Sequence, residues 1–135
     1  MTHTWSLRLA GEFGHADITP ELEKVVRDSG LETGILTVQM LGSTGAITTI
    51  EYEAGALSDL RRALDDIAPA EGHYAHNARW GDGNGFSHVR SALLKTSLSI
   101  PILRGRLVLG TWQQVVAINL DNRARERELV AVALG

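Results

Sequence analysis

The chain has 135 residues, of which 44% are hydrophobic and 21% charged, a composition typical of a single globular domain, here residues 1–135. The net charge of −3 argues against nucleic acid as the main partner, and the absence of cysteine excludes disulfides and thiolate metal sites. Because neither a signal peptide nor an apolar run of membrane length is apparent, we expect a cytoplasmic protein with no membrane partner.

The first part of the chain predicts strands and one helix. Thr4–Ala10 alternates as a strand does, and Thr19-Pro20-Glu21 supplies a capping hydroxyl, an early proline and an early acid for the start of a helix. Two segments rich in β-branched residues, Ile35–Leu41 and Ala46–Glu53, are expected to be strands. The Gly42-Ser43-Thr44-Gly45 segment between them predicts a hairpin or a tight reversal.

Two helices are predicted in the middle of the chain. Leucine and isoleucine recur at helical spacing over Leu57–Ile67, and Pro69 closes that amphipathic helix. After a glycine-rich loop, Ser87 is expected to cap a second helix that runs to about Leu94. This would place His88 at the first helical position, where backbone N–H groups favour an anion.

The C-terminal part of the chain predicts a sheet. Leu98–Leu103 and Arg106–Leu120 form a hairpin pattern around Arg104-Gly105, and Arg127–Leu134 is expected to be the last strand. Both faces of the long strand are largely apolar. We therefore expect it to be covered on both sides, by the chain's own helices and sheet or by another subunit.

The segment His73–His88 looks most like a functional site, because it holds three of the five histidines together with Asp82 and Asn84. Its glycines cannot continue a helix or strand, so we expect irregular backbone to present these polar side chains. His76 and His88 are the centre of a candidate acid/base or metal site, since neutral imidazole is a good ligand for zinc and other transition metals.

Further side chains are candidates for completing a pocket. The hydroxyls of Ser43 and Thr44 lie between glycines and suit a phosphate or carboxylate, although the segment lacks the lysine and the spacing of a nucleotide P-loop. Glu51 is a candidate base or ligand, or else an exposed acid at a sheet edge. Three more candidates for substrate contacts are Arg90, Trp112 and Gln113.

Taken together, these segments resemble the YjbQ family. The resemblance runs from about Ser29 to Gly135 and rests most on Asp82-x-Asn84-x-x-x-His88 combined with Leu109-Gly110-Thr111-Trp112-Gln113. The other matching positions are Glu51, Tyr74-x-His76, Ser97-x-x-x-Pro101, Gly105-x-Leu107 and Asp121.

The resemblance implies a compact homotrimer of α+β subunits, for which we expect mainly antiparallel β-sheets packed as a sandwich with two or three helices on one side. It also implies a secondary thiamine-phosphate synthase activity, which joins an aminopyrimidine pyrophosphate to a thiazole phosphate and releases pyrophosphate. The partner is then a small phosphorylated molecule, and a divalent metal, Mg or Zn, is a candidate cofactor. On this interpretation the catalytic candidates are His88, Asp82, Glu51 and His76, the substrate contacts are Asn84, Ser43, Thr44, Arg90, Trp112 and Gln113, and the metal ligands are His76 and His88.

The chain also departs from the common family pattern. Gly42 stands where many members have a histidine, Ile50-Glu51-Tyr52 stands where Asn-Glu-Asn is frequent, and Lys95 replaces a frequent glycine. The missing histidine removes one metal ligand or acid/base group. Two alternatives to an enzyme stay open: a trimeric metal- or anion-binding module that uses His76 and His88, and a structural protein whose polar cluster seals a subunit interface.

Overall fold

The computed structural model describes residues 1–135 as eight strands and four helices. In chain order the elements are β1 (Thr2–Leu9), β2 (Gly14–Asp17), α1 (Thr19–Ser29), β3 (Thr33–Met40), β4 (Gly45–Ile50), α2 (Ala54–Ile67), α3 (Ala75–Trp80), α4 (Gly85–Leu94), β5 (Ser97–Leu103), β6 (Arg106–Leu107), β7 (Gln114–Asn119) and β8 (Arg125–Leu134).

The strands form two antiparallel sheets, which confirms the α+β fold. One sheet has five strands in the order β1-β8-β3-β5-β6, and the other has three in the order β2-β7-β4. Alternating burial along β3 and β8 shows that the larger sheet turns one face inward and one face outward. There is one helix more than expected, because α3 forms inside the segment that the glycines predicted to be irregular.

The main core lies between the inner faces of the two sheets and is closed by α1. Leu22 and Val26 of α1 pack with Leu36 of β3, Ile47 of β4 and Ala131 of β8 in one cluster of 16 buried residues. The helix presents these apolar residues on one face because they recur at intervals of three to four positions. Burial of this apolar surface is the main stabilising contribution to the fold.

Strand β7 is covered on both faces by the chain itself. Val115 and Ala117 point into the core between the sheets, whereas Val116 and Ile118 belong to a second cluster with Leu57 and Leu64 of α2. This accounts for the doubly apolar pattern that the sequence shows there. The prediction of one long strand was wrong, however, because residues 108–113 leave the sheet and separate β6 from β7.

Two further local predictions differ from the structure. The Gly42–Gly45 segment is not a hairpin, because β3 and β4 lie in different sheets and the segment carries the chain from one to the other. Helix α4 begins at Gly85 with Asn84 at the capping position, so Ser87 lies inside its first turn. His88 is therefore one turn into the helix, and the anion-binding argument from a first helical position no longer applies to it.

The predicted hairpin at Arg104-Gly105 is confirmed, with both residues at positive φ.

Three chain crossovers between the sheets meet at one edge of the molecule. They connect β1 to β2, β3 to β4, and β7 to β8. The Asn119 side-chain amide ties two of them together, because its nitrogen donates to the carbonyls of Leu9 and Ala10 in the first crossover and of Arg123 in the third, at 3.3, 3.0 and 3.0 Å. We call this edge the seam, defined by residues 9–10, 41–45 and 119–127.

The outer face of the larger sheet carries an exposed apolar patch. Ile35 of β3 is paired in register with Leu134 of β8 on one side and with Pro101 of β5 on the other. Val108 extends the patch, since its N–H donates to the Pro101 carbonyl at 3.0 Å. Contiguous exposed apolar residues of this kind are typical of a surface that another chain covers.

None of the helices has the length and apolar character needed to cross a membrane.

Candidate functional site

The candidate site is built on α3, α4 and the four-residue loop between them. Helix α3 ends at Gly81, which adopts a left-handed conformation with φ of 73°. The loop then returns toward α3, and the Asn77 side chain accepts a hydrogen bond from the Gly85 N–H at 2.8 Å. The expectation of irregular backbone is confirmed for Asp82 and Asn84 but wrong for His76, which lies on α3.

The two candidate histidines lie side by side. The ring centroids of His76 and His88 are 4.4 Å apart, with the ring planes tilted by 42°. His76 Nδ1 lies 3.5 Å from Asp82 Oδ1 and has no hydrogen-bond partner, because that distance is longer than a normal N–H···O bond. A small movement of the Asp82 carboxylate would make the bond and orient the imidazole. This arrangement suits acid/base chemistry or the binding of an ion.

Asn84 connects the histidines to the interior. Its buried side-chain amide lies between the carboxylates of Asp82 and Asp121. In one orientation the amide nitrogen donates to Asp121 Oδ1 at 3.4 Å, and after a half-turn it donates to Asp82 Oδ1 and Oδ2 at 3.0 and 3.2 Å. The shorter contacts favour the second orientation, in which Asn84 holds the Asp82 carboxylate next to His76.

Asp121 is the buried acid of the site, with none of its surface exposed. Its carboxylate accepts hydrogen bonds from the Thr44 hydroxyl at 2.9 Å, the Asn122 N–H at 2.8 Å and Arg125 Nε at 3.0 Å. Burial by itself raises the pKa of Asp121, but these hydrogen bonds outweigh it and hold the pKa below its usual range. Asp121 is therefore an ionised acceptor that fixes its neighbours.

Arg127 brings a cation to the same cluster from β8. Its Nη2 donates to the Thr44 hydroxyl at 2.7 Å and to Asn119 Oδ1 at 2.6 Å. Burial lowers the pKa of Arg127, and the charge of Asp121 partly offsets this. Arginine nevertheless remains protonated at neutral pH, so a positive charge lies at the seam.

These side chains form one polar network of close contacts, which runs from the surface into the seam; the Asn84 amide donates either to Asp82 or to Asp121, and not to both. Its members are His88, His76, Asp82, Asn84, Asp121, Thr44, Arg127 and Asn119. Both histidines are partly exposed and Asp82 is exposed, whereas the remaining five members are buried. The network therefore offers solvent two imidazoles and a carboxylate on a rigid polar base.

Three of the candidate residues lie far from this network within one chain. Gly45 and Ile50 are the two ends of β4, and they pair with Asn119 and Gln114 of β7. Glu51 follows the Ile50 end and is exposed, rather than belonging to the strand as expected. Trp112 and Gln113 precede the Gln114 end and are also exposed. A strand of six residues separates the two ends by about 17 Å.

Arg90 and Ser43 have different surroundings from each other. Arg90 is buried, and its Nε donates to the Ala68 carbonyl at 2.9 Å while its Nη2 donates to Asp65 at 2.9 Å. These bonds tie α4 to the end of α2, so the structure commits Arg90 to packing between helices. Ser43 is exposed in the turn beside Thr44, at the network.

Two members of the network, Asn119 and Arg127, were not predicted from the sequence. The signal for Arg127 is its position on the inward face of β8, because it alternates in step with Leu129 and Ala131. The signal for Asn119 is an amide directly after four consecutive apolar residues, Val115–Ile118, of a strand. A polar residue on a buried face needs partners, which makes both positions informative.

The His, Asp and Glu side chains of the chain do not form a complete metal centre. No group of three or more His, Cys, Asp or Glu side chains is placed to hold a metal ion within the chain. A catalytic zinc commonly has three protein ligands, whereas no third side chain is placed with His76 and His88 to complete such a set. The single chain therefore does not supply a complete ligand set.

Comparison with known proteins identifies the family. A family model described as UPF0047 protein YjbQ-like matches residues 3–135. The chain belongs to this family. A UPF0047 protein from Methanothermobacter thermautotrophicus is 37% identical over 132 residues, which cover 98% of this chain and 91% of the relative. A UPF0047 protein from Synechocystis is 36% identical over 117 residues, which cover 85% and 79% of the two chains.

Solved structures of YjbQ-like proteins share the complete fold. A YbjQ-like protein of unknown function from Sulfolobus solfataricus aligns with a TM-score of 0.89 at 28% identity, covering 100% of this chain and 98% of the other. A hypothetical protein from Aeropyrum pernix aligns with a TM-score of 0.91 at 27% identity and the same coverage. The resemblance drawn from the sequence motifs is thus confirmed at the level of family and fold.

Proposed function

We propose that this protein is an enzyme of the thiamine-phosphate synthase type, acting on two small phosphorylated substrates as a secondary activity. The observation that supports the proposal is the polar network, in which partly exposed His76 and His88 lie beside the Asp82 carboxylate, and buried Asn84 and Asp121 continue the network into the interior. Rigid support of a few exposed polar groups is what an active site requires.

The proposed reaction needs charge stabilisation more than covalent chemistry. The thiazole nitrogen forms a bond to the methylene carbon of the aminopyrimidine, while the bond from that carbon to the pyrophosphate oxygen breaks and its electron pair leaves with pyrophosphate. Protonated His76 or His88 would donate to the departing oxygen, and Asp82 would stabilise positive charge on imidazole or pyrimidine. Asn84 would position the Asp82 carboxylate. A Mg²⁺ ion would enter with the substrate pyrophosphate.

Glu51, Trp112 and Gln113 would join such a site only from another subunit. We therefore propose a homotrimer in which the exposed apolar patch of Ile35, Pro101, Val108 and Leu134 is covered by a second copy. Native mass measurement should give three times the chain mass. Ile35→Glu would place a charge in that interface and should produce monomers, whereas a native wild-type monomer would contradict the proposal.

The activity is tested by incubating the pure protein with both thiamine precursors and Mg²⁺ and measuring thiamine phosphate. His88→Ala should lower the rate by about 10²-fold or more, as expected for loss of an acid/base group. His73→Ala is the matched control, because His73 is exposed and lies outside the network. No product above the His88→Ala level would refute the activity.

The second candidate function is a non-catalytic module that holds a metal or a small anion, and the close His76–His88 pair favours it. Metal analysis of untagged protein purified without chelator tests the metal version. A stoichiometric Zn²⁺ that is lost in His76→Ala would support it. A metal-free protein whose melting temperature does not respond to added Zn²⁺ would contradict it, since a ligand that binds the folded state raises stability.

A further inference from the structure

The guanidinium of Arg127 is buried without a full set of partners. Arg127 is only 6% exposed, and both of its hydrogen bonds are made by Nη2. Its Nε has no partner, and Nη1 makes no hydrogen bond in the chain. The buried carboxylate of the network, Asp121, forms its ion pair with Arg125 at 3.0 Å and none with Arg127. The cation therefore keeps unused donors inside the seam.

An underpaired buried cation is costly for the fold. Taking a charge out of water is unfavourable unless an opposite charge and hydrogen bonds replace the lost solvation. The Thr44 hydroxyl and the Asn119 carbonyl are neutral acceptors, and they satisfy one nitrogen of the three. The missing component is an anion, for which a guanidinium is well suited.

The turn above Arg127 leaves a path to that cation. Gly42 has φ of 111°, a conformation that favours glycine, and a Cβ at this position would lie 2.9 Å from Arg127 Nη1. The absence of a side chain at Gly42 keeps the approach to Nη1 open. Gly42 and Ser43 are exposed, and their backbone N–H groups donate no hydrogen bond within the chain. Free N–H groups next to a cation form a typical anion-binding surface.

We propose that Arg127 is the anchor of an oxyanion subsite, in which Nη1 and the N–H groups of Gly42 and Ser43 hold a phosphate or pyrophosphate oxygen of the substrate. This deepens the proposed function, on which the assignment to a substrate phosphate rests. In the synthase reaction the subsite would retain one phosphorylated group while His76 and His88 face the reacting atoms.

Calorimetric titration with inorganic pyrophosphate, inorganic phosphate and malonate tests the proposal on the wild-type protein and four variants. Arg127→Gln removes the cation, and Gly42→Ala blocks the path to it, so each should weaken pyrophosphate binding at least tenfold. Arg8→Gln and Gly30→Ala are matched controls. Arg8 is an exposed arginine on β1, and Gly30 has φ of 68° with nothing within 4 Å of an added Cβ. Both controls should bind as the wild type does.

The outcomes separate this inference from the proposed function. Unchanged pyrophosphate binding in Gly42→Ala and in folded Arg127→Gln would overturn the inference, even if thiamine phosphate is formed. Tenfold weaker binding in both variants would support it, even if the wild type forms no thiamine phosphate and the proposed function fails. Binding of malonate without binding of either phosphate would overturn the assignment to a phosphate. If Arg127→Gln does not fold, the comparison of Gly42→Ala with Gly30→Ala decides.

Discussion

The two ends of the three-stranded sheet carry the two halves of the predicted site, and they are built very differently. At the seam end, Thr44, Asn84 and Asp121 are buried, and the Thr44 hydroxyl donates to the Asp121 carboxylate. At the opposite end, Glu51 and Trp112 are exposed, and Trp112 shows 72% of its surface to solvent. A buried polar group must find partners inside the chain, whereas an exposed one need not. The single chain therefore determines the geometry of one end only.

The largest difference in stability between the two ends is expected for a substitution of Asp121. Asp121→Ala should lower the free energy of unfolding by about 3–5 kcal/mol, because it leaves Arg125 without its ion-pair partner and the buried Thr44 hydroxyl without its acceptor. The measurement is urea unfolding at neutral pH. Glu51→Ala at the opposite end should change stability by less than about 0.5 kcal/mol. Equal losses for the two variants would remove the distinction between the ends.

Arg90 tests how far the binding site at the seam end extends, because its side chain is buried near the seam but is hydrogen-bonded to α2. Arg90→Met should cost about 1–3 kcal/mol, since it leaves the Ala68 carbonyl without its donor while keeping the apolar stem. Thermal and urea unfolding measure that loss. Pyrophosphate binding, measured by calorimetry, should stay within twofold of the wild-type value. A tenfold loss of binding would place Arg90 in the site after all.

Lowering the pH tests how much Asp121 at the seam end contributes to stability. Because hydrogen bonds hold the pKa of Asp121 below its unfolded value of about 3.9, the unfolded state takes up the proton first as the pH falls. The contribution of Asp121 is fully present above about pH 4 and is lost as the pH falls through the folded pKa. Asp121→Asn should therefore flatten the decline in stability below pH 4. Asp59→Asn is the exposed control, and an equal flattening in it would contradict this origin.

The smallest stability effect is expected at the exposed end. Trp112→Ala should change the unfolding free energy of the isolated chain by less than about 0.5 kcal/mol, because the ring packs against little of its own chain. In the homotrimer that we propose, the same variant should weaken subunit association, measured by native mass across a dilution series. An unchanged trimer would show that Trp112 does not lie in the subunit interface.

Much of the fold follows from local patterns in the sequence. The helical spacing of Leu57 and Leu64 predicted α2, and Arg104-Gly105 between two strand-like segments predicted the β5–β6 hairpin. The break between β6 and β7 was not predicted, because residues 108–113 continue the pattern of apolar and β-favouring side chains on both faces. Periodicity reports which faces are apolar, and it does not report where hydrogen-bonded pairing stops.

The candidate site was predicted in part, for a physical reason. His76, Asp82, Asn84 and Thr44 are brought together by the network, as their clustering in polar turn segments indicated. Arg127 was missed, because an arginine in a charged C-terminal segment looks solvated until its neighbours on the buried face of the strand are considered. The separation of Glu51 from His88 depends on which strands pair, and strand pairing is a long-range property of the fold.

Because the site lies at the crossovers of the seam, ligand binding there should stabilise the contact between the two sheets. Arg127 reaches from the five-stranded sheet to Thr44 and Asn119 at the end of the three-stranded sheet. An anion bound there would link the two sheets and oppose their separation, which would expose the core. Amide hydrogen exchange at the ends of β4 and β7 should slow when pyrophosphate is added, while exchange at the outer edge of the larger sheet should not change.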